Sequence, residues 1–342
     1  DPTGKAVRTR KAVARAVASS APVVEELPAV AAKAGVVLAE AQRRLQAALE
    51  EMVTIHSPFF SFLLNRVLVP LQTRAWELDV DADEMRRLRA LGERHSLVFL
   101  PTHRSYADTY VVMKLLRAAG MPPNHVLGGD NLRFFPLGTI ARRAGGILIR
   151  RSFRDEEIYK FALRAYFRFL VDHGNNLEWY MEGGRSRTGK LRPPRYGLLS
   201  YLVRALEGSD REIFLVPLAI TYDQLQEVAA MAAEEAGGSK PKEGLGWLAR
   251  YIRDQGRRQG MALAGTMPVE ADLVSVVTPA DLHHPMMMAA LAAGCLEDLA
   301  AVPDRLVAEQ AGDPDDQVVE VEERLAVEPV GQRGQQAVVR AH

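Results

Sequence analysis

The chain has almost no cysteine. Cys295 stands alone among 342 residues, so no internal disulfide can form and the fold must be held by its apolar core. A single Cys in an Ala-rich run reads as core filler and fits a reducing compartment. Net charge is missing too: Lys plus Arg and Asp plus Glu each number 43. That balance excludes the one-signed field of a nucleic-acid-binding domain, although local basic clusters remain. No run of 18 apolar residues occurs, so no conventional membrane span is expected. His, Cys and Asp are not grouped at ligand spacing, and no metal site is expected. There are no internal repeats and no long low-complexity tract.

What remains is 48% apolar and 25% charged, an ordinary globular composition with material for one large domain or two. The chain opens on Asp1 and carries no secretory apolar region, so it reads as an excised or processed piece of a longer protein. Residues 1–80 form a first region, Ala- and Val-rich with Lys5, Arg8, Arg10, Lys11 and Arg15 near its start. Good helix formers from Pro28 to Met52 predict a helix there, in a helical preface that ends near Asp79–Asp81. The apolar stretch Pro58–Pro70, interrupted by Asn65 and Arg66, reads either as ordinary buried helix or as a monotopic contact with a bilayer interface.

Residues 81–235 change texture. Short apolar runs at Leu97–Leu100, His125–Leu127, Gly146–Ile149, Leu177–Met181 and Ile213–Ala219 alternate with helical patterns at Ala107–Ala118, Asp155–His173 and Leu198–Leu206. The alternation predicts an α/β domain built on an open, largely parallel sheet with flanking helices. Residues 236–342 form a third region of uncertain structure. It follows a loop-like segment at Glu234–Glu243, contains an apolar helical run at Met286–Ala293, and carries no motif tied to chemistry.

Four motifs fall in the middle region. His103 and Asp108 follow the strand Leu97–Leu100 in the sequence Pro101-Thr-His-Arg-Ser-Tyr-Ala-Asp108. A strand that delivers an imidazole and a carboxylate at its C-terminal end can build an acid/base pair, with the carboxylate holding one tautomer so that the ring takes a proton from a hydroxyl. Gly145-Gly-Ile-Leu-Ile-Arg-Arg151 is a strand ending in paired arginines, and one of Arg150 or Arg151 is expected to contact phosphate. Glu182-Gly-Gly-Arg-Ser-Arg-Thr-Gly-Lys190 follows another strand at the same sheet edge. Its glycines let backbone N–H groups turn toward a ligand, and Arg185 and Arg187 can chelate phosphate oxygens. Glu182 itself would orient an arginine or tie the loop together. The loop nearly matches a nucleotide-binding P-loop, but Leu191 replaces the magnesium-binding hydroxyl residue and Arg192-Pro-Pro-Arg195 cannot continue as the required helix. The fourth motif, Val216-Pro217, lies in a strand and says little alone.

With these four blocks together, the chain resembles the glycerol-3-phosphate acyltransferases, specifically the bacterial membrane-associated type related to mitochondrial and peroxisomal glycerophosphate and dihydroxyacetone-phosphate acyltransferases. The resemblance covers roughly residues 50 to 225 and includes the order and separation of the blocks. It implies transfer of a fatty acyl group from acyl-CoA or acyl-acyl carrier protein to the sn-1 hydroxyl of glycerol 3-phosphate, giving lysophosphatidate in the first step of phospholipid synthesis. His103 and Asp108 would be catalytic. Arg104, Ser105, Arg150, Arg151, Glu182, Gly183, Gly184, Arg185, Ser186 and Arg187 would bind substrate, and Pro217 would shape the acyl side. It further implies no cofactor beyond the acyl donor, no nucleic acid, and peripheral or monotopic contact with an anionic membrane at the cytoplasmic face of the cell membrane. A lysophosphatidate acyltransferase and a non-catalytic lipid-phosphate-binding module are the alternatives, with a magnesium-dependent phosphotransferase a third.

Overall fold

A computed structural model describes residues 9–64, 66, 69, 76–105, 107–129, 137–150, 152–153, 156–185, 192–207, 209–222, 246, 272–277 and 337–339. In chain order the helices and strands used below are α1 (Arg10–Ala18), α2 (Ala21–Lys33), α3 (Leu38–Met52), α4 (Pro58–Leu63), β1 (Trp76–Asp79), α5 (Ala82–Gly92), β2 (Ser96–Pro101), α6 (Asp108–Ala118), β3 (His125–Gly129), α7 (Leu137–Arg143), β4 (Gly146–Ile149), α8 (Glu157–Asp172), β5 (Leu177–Glu178), α9 (Gly197–Leu206), β6 (Ile213–Tyr222), β7 (Asp272–Val277) and β8 (Ala337–Val339).

The predicted α/β class and parallel core are borne out. Strands β6, β2, β5, β3 and β4 lie side by side in that order, all parallel, so their C-terminal ends share one edge of the sheet. Side-chain alternation in β2 explains the two faces. Val98 and Leu100 join a core formed with α1, α2, α3, α8 and α9, whereas Leu97 and Phe99 join a second core with Leu88 of α5 and Val111, Val112 and Leu115 of α6. The amphipathic helices thus cover both sides, and the helical N-terminal region packs on the first face rather than standing apart.

Several expectations change. The helix expected over Pro28–Met52 is two helices, because Gly35 adopts φ +66° and turns the chain between α2 and α3. Pro28 lies inside α2, where it forgoes one backbone hydrogen bond. The preface does not stay helical to Asp79, since Trp76–Asp79 is strand β1. Asp81 instead caps α5, accepting the Asp83 N–H at 2.7 Å and the Glu84 N–H at 3.3 Å. Helix α4 is not buried: none of its residues is, and Phe59 and Phe62 are 67% and 61% exposed. No described helix is long and apolar enough to cross a membrane.

The region without motifs also supplies strands. β7 runs antiparallel to the end of β6 and parallel to β1, and β8 runs antiparallel to the start of β6. Their pairing explains Pro217 inside a central strand. β8 takes residues 213–215 and β7 takes residues 219–222, so the missing N–H of Pro217 falls in the gap between them. The segments Glu234–Glu243 and Met286–Ala293 lie outside the described residues.

Candidate active site

Strand β2 ends at Pro101, and Thr102 carries the ladder one step further: its N–H reaches the Leu218 carbonyl at 2.8 Å and its Oγ1 accepts the Ile220 N–H at 3.0 Å. The chain then leaves the sheet edge and must turn back into α6. Asp108 organises that turn. Its Oδ2 accepts the backbone N–H groups of Arg104 at 2.7 Å and Ser105 at 2.9 Å, and lies 3.0 Å from His103 Nδ1. Its Oδ1 accepts the Tyr222 hydroxyl at 2.5 Å. Asp108 is also the first residue of α6, where the positive end of the helix dipole favours a carboxylate.

A carboxylate only accepts hydrogen bonds, so His103 Nδ1 carries a proton, and in the neutral ring Nε2 keeps its lone pair. Nε2 has no hydrogen-bond partner among the described residues. The exposures sort the pair by role: the Asp108 side chain is 0% exposed and the His103 side chain 21%. The ring is therefore held from behind by a buried anion and is itself partly exposed.

Two further contacts fix the imidazole. The Tyr180 ring stacks on it, with centroids 4.1 Å apart and planes 28° from parallel. The His103 backbone N–H donates to Glu182 Oε1 at 3.0 Å. Behind Tyr180 lies a buried polar network. The Tyr180 hydroxyl is 2.8 Å from Thr109 Oγ1 and donates to Glu178 Oε1 at 3.4 Å, and Asn124 Nδ2 donates to Glu178 Oε2 at 3.0 Å. Loss of water pushes the Glu178 carboxyl up to about 7, and the Asp108 charge adds to that rise against the two hydrogen bonds. Burial first, then the two carboxylates, hold the Tyr180 phenol well above its ordinary value.

Glu182 turns out to tie loops together. Besides holding the His103 backbone, it accepts the Arg192 N–H at 3.4 Å, so one carboxylate links the β2 turn to the arginine-rich loop. Burial raises its proton affinity, and these two backbone donors work against that rise. Gly183 adopts φ +60°, and a Cβ there would stand 2.6 Å from Arg195 Cδ; at Gly184 a Cβ would meet Arg192 Nη1 at 2.7 Å. The φ of Gly183 favours glycine there, and the Arg195 and Arg192 side chains lie across the loop beside the two glycines. Arg185 is half-buried on the same loop.

Other expected site residues are placed differently. Arg150 stands away from His103 and is paired with carboxylates. β4 is three places from β2 in the sheet, and the Arg150 guanidinium is gripped by Glu51, at 3.0 and 2.6 Å, and by Glu156, with its carbon 4.6 Å from the Tyr159 ring centre. Glu51 first, and Glu156 with it, strengthens its hold on the proton. Ser105 is buried, and its hydroxyl accepts the Ala107 N–H at 3.0 Å, which shapes the turn. Arg104 enters the site through its backbone, bound to Asp108. Pro217 pairs with Leu100, short of the sheet edge where His103 stands. Arg151, Ser186 and Arg187 lie outside the described residues.

Sequence reasoning missed Glu178, Tyr180, Arg192, Arg195 and Tyr222. One signal was available: Glu178 and Tyr180 alternate within a run otherwise apolar, and an acid in a buried strand needs partners.

Comparison with known proteins agrees with this geometry. Residues 80–221 match the family model described as Acyltransferase. Over 190 residues the chain is 46% identical to the "Putative acyltransferase plsB1" of Mycobacterium bovis, and equally to those of two Mycobacterium tuberculosis strains. The match takes in 55% of this chain and 31% of each relative, so the chain spans under a third of their length.

Proposed function

We propose that this chain, whose residues 80–221 match the Acyltransferase family model, transfers a fatty acyl group from a thioester to the sn-1 hydroxyl of glycerol 3-phosphate. The observation that carries this reading is the His103–Asp108 pair: a buried carboxylate bound to Nδ1 and an Nε2 with no partner among the described residues, with the arginine loop tied to the His103 backbone through Glu182.

In the proposed reaction the acceptor hydroxyl gives its proton to His103 Nε2 as its oxygen attacks the thioester carbonyl. Asp108 stabilises the imidazolium that forms. The tetrahedral oxyanion then collapses, the carbon–sulfur bond breaks, and the imidazolium returns the proton to the leaving thiolate. No covalent acyl-enzyme is needed. The donor is acyl-CoA or acyl-acyl carrier protein, used as co-substrate, and no resident cofactor takes part. Arg185 and Arg187 hold the acceptor phosphate. Arg192 and Arg195, lying across Gly184 and Gly183, extend the cationic rim. Backbone N–H groups of the glycine loop are the candidates for the oxyanion.

Membrane contact is part of the same reading. The exposed Phe59 and Phe62, with the Arg66 guanidinium 6.0 Å from the Phe62 ring centre, support peripheral docking on an anionic bilayer through α4.

The test is thiol release from acyl-CoA with glycerol 3-phosphate or lysophosphatidate as acceptor, with product identified by mass. Release that depends on glycerol 3-phosphate and yields lysophosphatidate supports the proposal. Release with lysophosphatidate alone would move the chain to the next step of the pathway, and release with neither would favour a non-catalytic binding module.

A further inference from the structure

The Tyr222 hydroxyl is bound to the buried carboxylate behind His103, yet Tyr222 lies 114 residues from Asp108 in sequence and outside every motif that points to acyl transfer. Its position follows from how β6 outruns its neighbour. The β2–β6 register ends at Pro101 opposite Leu218, while β6 continues four residues further to Tyr222. Along that overhang β6 is held from its other edge by β7, with Ala219 opposite Val277 and Tyr222 opposite Val274. Side chains alternate along a strand, so Leu218, Ile220 and Tyr222 share one face. Leu218 and Ile220 are buried on that face with Val111 and Val112 of α6, and Tyr222 packs against the same cluster. Continuing the row by one step brings the phenol to the first residue of α6, which is Asp108.

The division of labour between the carboxylate oxygens gives this contact its meaning. Oδ2 serves His103 and the two backbone N–H groups of the turn, and Oδ1 serves Tyr222. The Asp108 side chain is 0% exposed, so water cannot take over at Oδ1. An unpaired carboxylate oxygen buried there would be unfavourable, and the group would relieve it by rotating or by taking a proton. Either change removes the acceptor that holds His103 Nδ1–H.

We propose that Tyr222 is a positioning residue of the acyl-transfer site: its hydroxyl holds Asp108 Oδ1 and so fixes the carboxylate that aims His103. The role rests on the acyl-transfer reading for its catalytic consequence but not for its geometry. It also gives the strand Asp272–Val277 a part in the site, since pairing with β7 supports the overhang that carries Tyr222.

Tyr222→Phe removes the hydroxyl and keeps the ring. Two readouts separate positioning from bulk structure. The first is steady-state thiol release, where kcat should fall about ten-fold while the KM of donor and acceptor stays within about two-fold, since a hydrogen bond to a charged group is lost and no substrate contact is. The second is the downfield proton resonance of the His103 Nδ1–H, assigned by its disappearance in His103→Ala, which should move in Tyr222→Phe. An unmoved resonance, or KM values that rise as kcat falls, would overturn the positioning role. If the Phe variant does not fold, 3-fluorotyrosine at position 222 keeps ring and hydroxyl and strengthens the donor, so the same resonance should still move; an unchanged signal would again overturn the role. A parent that releases no thiol with either acceptor refutes the reaction, and the resonance alone then decides Tyr222.

Discussion

Replacing Glu178 with Gln should remove a pH dependence of stability that the parent carries between about pH 4.5 and pH 7. In the folded chain the buried carboxyl keeps its proton up to about 7, and in the unfolded chain it loses it near 4.5. Between those values the folded state binds more protons, so this group's contribution to stability is full at low pH and falls as pH rises through the window. A difference of this size corresponds to roughly 2–3 kcal/mol between about pH 5 and about pH 8. The variant keeps the network: the Gln carbonyl can accept from Asn124 and its amide can donate to the Tyr180 hydroxyl, which then donates to Thr109. Two other buried groups oppose the effect. Burial pushes the His56 imidazole down to about 4 and that of His125 down to about 3, so their contribution is lost as pH falls from about 6.5 toward those values. Total stability therefore blurs the signal, and the difference between parent and variant isolates it. Equilibrium urea unfolding at both pH values should show the variant gaining about 2–3 kcal/mol on the parent toward alkaline pH. A gap that stays constant with pH would refute the assignment of Glu178 as a buried, late-ionising carboxyl.

Gly183→Ala places a Cβ at φ +60° and 2.6 Å from Arg195. It should lower stability by about 1–2 kcal/mol and raise the KM for glycerol 3-phosphate, read from melting temperature and kinetics. Arg187→Ala should raise the KM for glycerol 3-phosphate by roughly ten- to a hundred-fold over that of the donor, with Arg187→Lys recovering part; equal effects on both substrates with lowered stability would instead make Arg187 a loop-stabilising residue. Phe59→Ser with Phe62→Ser should abolish flotation of the chain with anionic vesicles while leaving its melting temperature unchanged, and unaltered flotation would dismiss α4 as the contact.

The legible parts of this molecule are the local ones. Strand β2 and the His103–Asp108 pair lie within a few residues of each other, so spacing and apolar pattern suffice to link them. The parallel core follows from the alternation of short apolar runs with amphipathic helices. Arg150 shows what local reading leaves out. Two arginines after a strand suggest that one of them contacts phosphate, but no local pattern shows that Arg150 is paired with Glu51, 99 residues away. Tyr222 fails for the same reason in the opposite direction, because nothing near Val216-Pro217 reveals that β6 outruns β2. Strands β7 and β8 are short and antiparallel to β6, and come from a region with no motif to announce them.

The most direct test of the central claim compares the parent with His103→Ala in glycerol-3-phosphate-dependent thiol release from acyl-CoA, with folding checked by circular dichroism. General-base catalysis contributes about 10²–10⁴ in rate. The variant should stay folded and lose at least about 10²-fold in kcat, with lysophosphatidate formed only by the parent. A folded variant that retains kcat within a few-fold of the parent would contradict the role of His103 and, with it, the reading of this site.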